Sequence, residues 1–398
     1  MRYTVYLPLA MCGALLAGCT QSAGTLPQTV GARMQSTAQA TPSATPGDTA
    51  HALPGDTAQA LPGAKLGCDL TFEADQANCT VAINVKIPPV GDPTTPSNLV
   101  PGLHPTDLQN AYALPSAAAG GTVAIVDAYD DPLAEADLAI YRNTFGLSAC
   151  TTANGCFKKV NESGSTSSYP AINVGWDEEI ALDLDMVSAA CPQCKIVLVE
   201  ASSPSLDDLG ASVDTAAALH PLAISNSYYG PEWPREAAKD VYYEHPGIAI
   251  TVSAGDQVSS FYPAASPYVT TIGGTTLSGS SGAWNETAWQ YGGQGCSWYE
   301  KKPSWQGKTG CSKRSDVDMA VVADPNTGVA MYDSSAGGWL VAGGTSVGAP
   351  LLAAAYALSQ NPQGPAYSYA HRSAFHDIPP IGYDLATGLG APRGVAGL

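Results

Sequence analysis

Four short apolar runs recur along the chain: Thr122-Val-Ala-Ile-Val126, Lys195-Ile-Val-Leu-Val199, Leu222-Ala-Ile224 and Ile248-Ala-Ile-Thr-Val252. They lack the in–out alternation of a half-exposed strand, so each reads as a strand buried on both faces. Helix-length stretches lie between them at Asp177–Ala190, Ser205–Leu219 and Arg235–Tyr243. Another runs from Asp131 and Pro132, a capping residue and a first-turn proline, to a stop at Gly146. Strand–helix alternation at this spacing predicts an α/β fold: a doubly wound, mostly parallel sheet with helices on both faces. In such sheets chemistry collects at the carboxyl ends of strands, where loops lead into helices.

Charge narrows the function classes. Lys and Arg number 17 against 35 Asp and Glu, a formal charge of -18. Nucleic acid is excluded as a partner, because phosphate binding needs clustered basic side chains. With 45% hydrophobic and 13% charged residues the bulk of the 398 residues is globular.

The first residues read as a targeting signal. Arg2 precedes an apolar run from Val5 to Ala17 that ends Leu16-Ala17-Gly18-Cys19. The run is too short for a spanning helix, and small residues before Cys19 suit processing. The string resembles the lipobox of bacterial lipoproteins. That resemblance implies removal of residues 1–18, a lipid on Cys19, and a membrane-anchored protein of the bacterial envelope, facing the periplasm or the surface. An ordinary secretory signal cut nearby would also export the chain. Residues 19–66 are mostly Ala, Thr, Pro, Gln, Ser and Gly, with Pro46–Leu53 nearly repeated at Pro54–Leu61, and they predict a flexible tether. A short disulfide-bearing segment (67–101) and a main domain (102–398) follow.

Beyond Cys12 and Cys19, eight cysteines fall into close sequence pairs: Cys68 with Cys79, Cys150 with Cys156, Cys191 with Cys194, and Cys296 with Cys311. Local disulfides in an oxidising compartment are the simple reading, although eight cysteines allow 105 connectivities. Cys191-Pro-Gln-Cys194 has the spacing of a zinc or redox motif, but no second such pair and no nearby His complete a zinc set.

Three stretches carry candidate chemistry. Gly343-Gly-Thr-Ser346-Val-Gly-Ala-Pro350 puts a serine at the first turn of an apolar helix, where free N–H groups favour negative charge. A plain helix cap uses serine the same way. Trp176-Asp-Glu-Glu179-Ile-Ala-Leu-Asp183 sets two carboxylates on one helix face, and sharing a proton relieves their repulsion. The apolar residues between them make this helix a buried one rather than a solvated acidic face. Val252-Ser-Ala-Gly-Asp256 places an acid just past a strand end, where a turn-forming Asp is the simpler use.

Taken in order, Glu179, Asp183, Ser-Ala-Gly-Asp256 and Gly-Gly-Thr-Ser346-x-x-x-Pro350 resemble the sedolisin family of serine-carboxyl peptidases. Pro105–Leu114, Ser225–Gly230, Ala323–Gly328 and Gly382–Gly390 carry the resemblance from about residue 102 to the end. It implies a subtilisin-like fold and acid-acting endopeptidase activity on proteins or peptides, and we expect a monomer. Ser346 would be the nucleophile, Glu179 the general base and Asp183 the group that orients it. Asp256, kept protonated, would donate to the oxyanion together with the Ser346 N–H.

The resemblance also implies a calcium ion held around Asp377, Ile378, Pro380, Gly382 and Asp384. That loop is cut to a few residues, and it could instead close without metal. A large folded propeptide is not evident, and Val258 stands where a Gly-Asp-x-Gly pattern would continue after Asp256. Two other readings stand beside the peptidase. One is a peptidase-fold surface lipoprotein that binds without turnover. The other is a Ser-His-Asp peptidase using Asp127, which no His between Asp127 and Ser346 completes in a His-Gly-Thr setting. Asp127 is then left as a buttress of the site.

Overall fold

The structure is a computed structural model and describes residues 61–398 apart from 72, 117, 281 and 361. The expected signal sequence, Cys19 and the expected tether to residue 60 lie outside the described residues. Residues 61–66, assigned to the tether from composition, belong to the folded body: Leu61 is buried and Ala64–Leu66 is a strand. Composition misled because Leu61 and Leu66 find their apolar partners only in tertiary contacts.

Three short strands come first: β1 (Ala64–Leu66), β2 (Asn78–Cys79) and β3 (Ala82–Asn84). Helix α1 (Pro105–Ala111) follows, with Pro at its first position and a capping box joining His104 and Asp107. The parallel strands are β4 (Thr122–Ala128), β5 (Phe157–Asn161), β6 (Lys195–Ala201), β7 (Ala223–Asn226) and, after a short β8 (Tyr228–Pro231), β9 (Ala249–Ser253). A two-residue β10 (Phe261–Tyr262) precedes β11 (Thr270–Ser280), β12 (Ala283–Ala288) and β13 (Met319–Val322). The main sheet runs β12-β11-β9-β7-β4-β6-β5, with β13 also parallel to β11 and β12 its antiparallel edge. The strands expected from sequence are all present and buried, within a residue or two of their predicted limits.

Helices α2 (Ala134–Thr144), α3 (Val174–Ala190) and α4 (Leu206–Ala218) fill the crossovers. The passage from β4 to β5 runs toward one edge of the sheet and that from β6 to β7 toward the other. Right-handed crossovers therefore put α2 and α4 on opposite faces. Helix α3 packs on α2 and on α5 (Gly348–Ser359). Every residue of α3 from Trp176 to Ala190 is buried, so it has no polar stripe. Ile180, Leu182, Leu184, Met186 and Val187 are almost fully removed from water, each contributing about 1.5–3 kcal/mol. The expectation of a buried acidic helix holds, with its carboxylates carried inside. Among the described residues no helix is long and apolar enough to cross a membrane.

Two local expectations need correction. Arg235–Tyr243 is not an α-helix but two 3-10 turns, at Glu236–Ala238 and Asp240–Tyr242. Pro234 and Pro246 bracket it, leaving too little chain to repay helix nucleation. Helix α2 begins at Ala134 rather than Pro132, and Asp131 accepts the Leu133 N–H at 2.7 Å in the turn before it.

The segment 67–101 is woven into the domain. Strand β2 pairs antiparallel with β8. Strand β3 lies between β1 and β15 (Gly338–Gly343), in a second sheet closed by β14 (Val329–Asp333). Cys68–Cys79, Cys150–Cys156, Cys191–Cys194 and Cys296–Cys311 are all bonded, so the eight cysteines pair locally.

Candidate active site

Three elements deliver the candidate residues to one point at the carboxyl ends of the strands. Helix α3 brings Glu179 and Asp183, one turn apart on the face toward α5. Asp256 follows β9 after Gly255, whose φ of +94° a residue with a Cβ would hold only under strain. Ser346 sits in the 3-10 turn Thr345–Val347 that opens into α5. All four side chains are buried, Glu179, Asp183 and Ser346 completely.

Glu179 Oε2 accepts the backbone N–H groups of Thr80 and Val81, both at 2.7 Å. The Ser346 hydroxyl lies against the same carboxyl, close enough to lower its pKa. It is also hydrogen-bonded to Thr80 Oγ1. Asp183 accepts the Ser227 hydroxyl on both oxygens at 2.8 Å, and the same hydroxyl lies 3.5 Å from the Ser346 carbonyl oxygen. Burial drives the pKa of Glu179 and of Asp183 well above the carboxylate range, and the Asp127 charge adds to both shifts. Asp127 is fully buried at the end of β4, and desolvation pushes it up to about 8. Its two oxygens have no hydrogen-bond partner in the structure. Sequence reasoning gave it a minor place; the structure makes it the third carboxyl of one cluster. The signal was an acid closing an apolar strand, which is costly without a purpose.

Asp256 meets the backbone just before Ser346. Its Oδ1 accepts the N–H and hydroxyl of Thr345 at 2.8 and 2.9 Å, while Oδ2 is buried and unpartnered. Burial raises it to about 7, against the lowering effect of Thr345. Below that pH the free oxygen carries a proton and becomes a donor aimed into the site. A Cβ on Gly344 (φ +95°) would collide with both Asp256 Oδ2 and the Thr80 carbonyl oxygen. Glycine is required there for this reason. Among the described residues no histidine joins the cluster: His220 is exposed, and His245 lies 3.1 Å from Asp214 near the surface. Val258 is exposed.

The loop expected to hold calcium closes on itself. Asp377 accepts the Gly382 N–H, and Asp384 accepts the N–H groups of Ala386 and Thr387 and the Thr387 hydroxyl. Ile378 is buried, and Pro380 follows a cis bond in the same short loop. Both carboxylates are thus engaged in closing the loop on itself. Among the described residues no group of three or more His, Cys, Asp or Glu is arranged to hold a metal.

No family model matches the chain. Its sequence is 30% identical to kumamolisin of a Bacillus species over 356 residues, covering 73% of this chain and 62% of kumamolisin. It is 34% identical to sedolisin of a Pseudomonas species over 153 residues, 34% of this chain and 25% of that protein. Xanthomonalisin of a Xanthomonas species matches at 31% over 172 residues, 32% of this chain and 21% of its own length. The chain thus spans about three fifths of kumamolisin and smaller shares of the others. Among solved structures, Pseudomonas sedolisin, described as a serine-carboxyl proteinase complexed with pseudo-iodotyrostatin, superposes with a TM-score of 0.62. That match covers 74% of this chain and 96% of that structure at 23% identity, and it establishes the α/β fold. The sequence similarity makes the chain a homologue of these sedolisin-type proteins over the matched stretch.

Proposed function

We propose that the chain is a serine-carboxyl endopeptidase that cuts proteins or peptides under acidic conditions. The observation that carries this reading is the convergence of Ser346, Glu179, Asp183 and Asp256, from three separate elements, on one buried point. Ser346 Oγ attacks the scissile carbonyl while Glu179 takes its proton, and Asp183 holds Glu179 in place from the next turn of α3. As the carbonyl oxygen gains charge, protonated Asp256 donates from Oδ2, and the Ser346 N–H assists. The amine leaves with the proton from Glu179, and water repeats the cycle on the acyl-serine.

The pH dependence follows from the same groups. Asp256 is neutral below about 7, so the oxyanion donor is lost as pH rises through that value. Glu179 owes its raised pKa first to burial and then to the Asp127 charge, against the lowering bonds from Ser346, Thr80 and Val81. Water reaching the cleft lowers it and restores a carboxylate base in acid. The test is digestion of a denatured protein across acidic and neutral pH by the parent, Ser346→Ala and Glu179→Gln. Undiminished cleavage by either variant removes that residue from its role. Maximal activity at neutral pH defeats the carboxyl mechanism.

The N-terminal string supports export with a lipid on Cys19, and the formal charge of -18 argues against a nucleic acid partner. Incorporation of labelled palmitate into the parent and equally into Cys19→Ala would exclude that anchor.

A further inference from the structure

Thr345 stands immediately before the candidate nucleophile, is fully buried, and carries a hydroxyl that the proposed mechanism leaves without a role. Its hydrogen bonds follow from which atoms are able to donate. The Gly255 N–H can only donate, and it meets Thr345 Oγ1 at 3.0 Å. The Thr345 hydroxyl proton is therefore turned the other way, to Asp256 Oδ1 at 2.9 Å. The Thr345 N–H reaches the same oxygen at 2.8 Å. Two donors fill the lone pairs of Oδ1. A neutral Asp256 then holds its proton on Oδ2, the buried oxygen that has no partner. Neighbouring backbone fixes this frame. The Gly255 carbonyl oxygen accepts the Gly293 N–H at 2.6 Å, and the Gly344 N–H donates to the Ala323 carbonyl oxygen at 2.7 Å. The Thr345 methyl lies beside Gly274, and a branched Cβ packed in this way has little freedom to rotate.

We propose that Thr345 is a positioning residue: its hydroxyl decides which oxygen of Asp256 carries the proton, and so keeps the oxyanion donor aimed at the reacting carbonyl. The proposal rests on the peptidase reading above and adds the device that orients its donor. A carboxyl held by one donor can turn about its Cβ–Cγ bond and exchange its two oxygens, because that torsion is broad and nearly two-fold. Two donors on one oxygen must both break before it turns. The same hydroxyl acts on ionisation in the opposite sense. A hydrogen bond to Oδ1 favours the carboxylate, so Thr345 holds Asp256 below the value that burial alone would set. Losing the hydroxyl therefore loosens the donor's aim while widening the pH range in which the donor is neutral. The titratable side chains around this corner are Tyr229 on β8, raised by burial and by the Asp256 charge, and Glu179, Asp183 and Asp127 of the carboxyl cluster. Asp256 itself is set by burial, with the two Thr345 bonds opposing it.

The experiment measures kcat and KM of the full chain on a peptide substrate across pH, for the parent, Thr345→Val and Thr345→Ser. Thr345→Val keeps the shape and removes the hydroxyl. It should lower kcat in acid about tenfold with little change in KM. Its alkaline limb should move up by about half to one pH unit, because one hydrogen bond no longer favours the carboxylate. Thr345→Ser should bring back the parent's limb and most of its rate. A merely structural role would lower activity without moving the limb upward. A limb that stays or moves down, a Thr345→Val as active as the parent, or a Thr345→Ser that behaves like Thr345→Val overturns this proposal and leaves the peptidase reading standing. A parent that cleaves nothing at any acidic or neutral pH overturns both. If Thr345→Val fails to fold, infrared difference spectra in acid, of Ser346→Ala against Ser346→Ala with Asp256→Asn, read the proton directly. Neutral Asp256 should show a C=O stretch lowered by two accepted hydrogen bonds. A free C=O stretch would put the proton on Oδ1 and overturn the proposal.

Discussion

Replacing Asp127 with Asn should flatten the dependence of stability on pH. The carboxyl is fully buried and raised from 3.8 to about 8 by desolvation. That is a shift of about 4 units, or about 5 kcal/mol between the protonated and ionised forms at 1.36 kcal/mol per unit. The sign follows from linkage: the folded state holds this proton more tightly than the unfolded chain. Its stabilisation is complete below about pH 4 and is lost as pH rises through about 8. Against a total stability of about 5–15 kcal/mol, this one group is large enough to govern the alkaline limb. Asn keeps the shape of the neutral acid and does not titrate. It also removes the charge that raises Glu179 and Asp183. The assay is urea unfolding at intervals between about pH 4 and 8, in a Ser346→Ala background to prevent digestion. The parent should lose stability by up to about 1.4 kcal/mol per pH unit from this group, and Asp127→Asn should lose markedly less. Equal slopes would refute the claim that Asp127 is a buried, protonated acid.

Other outcomes follow from the same contacts. Asp256→Ala should lower kcat about 100- to 1000-fold with little change in KM, because the donor acts on charge that exists only in the transition state; an unchanged kcat would place the oxyanion elsewhere. Arg314 and Asp318 form a fully buried bidentate pair at 2.6 and 2.8 Å. Arg314→Met strands the carboxylate and should cost about 3–5 kcal/mol in denaturant unfolding, whereas Arg314→Met with Asp318→Leu should cost less. Chelating agents should leave the melting temperature unchanged, since Asp377 and Asp384 are spent on their own loop; a fall on chelation that calcium reverses would show a bound ion.

The sequence was most legible where one local property decides the outcome. Continuous apolar runs fixed β4, β6, β7 and β9, because a strand buried on both faces leaves no other pattern. The spacing of Glu179 and Asp183 placed them on one face of α3, since helical geometry is local. Resemblance added the order in which Asp256 and Ser346 follow, and the structure brings these side chains together. Legibility failed where partners are distant. Arg235–Tyr243 has helical composition, yet the prolines on either side and the buried contacts of Glu236 and Asp240 settle it as turns.

The N-terminal segment shows the same division most sharply. From composition, residues 61–66 are tether and 67–101 a small appendage. In the fold, Leu61 is buried and β3 joins β15. Thr80 and Val81 give their N–H groups to a carboxyl about a hundred residues away. Nothing in Cys79-Thr-Val81 announces that role, because a backbone N–H carries no sequence signal. By itself the sequence determined the strands, the acidic helix and the choice of candidate groups, all of which depend on side-chain type and short-range spacing. Only the tertiary structure decided that Asp127 shares their buried site and that the chain's own strand lies across the serine. Burial and hydrogen bonding between distant segments exist only once the chain is folded.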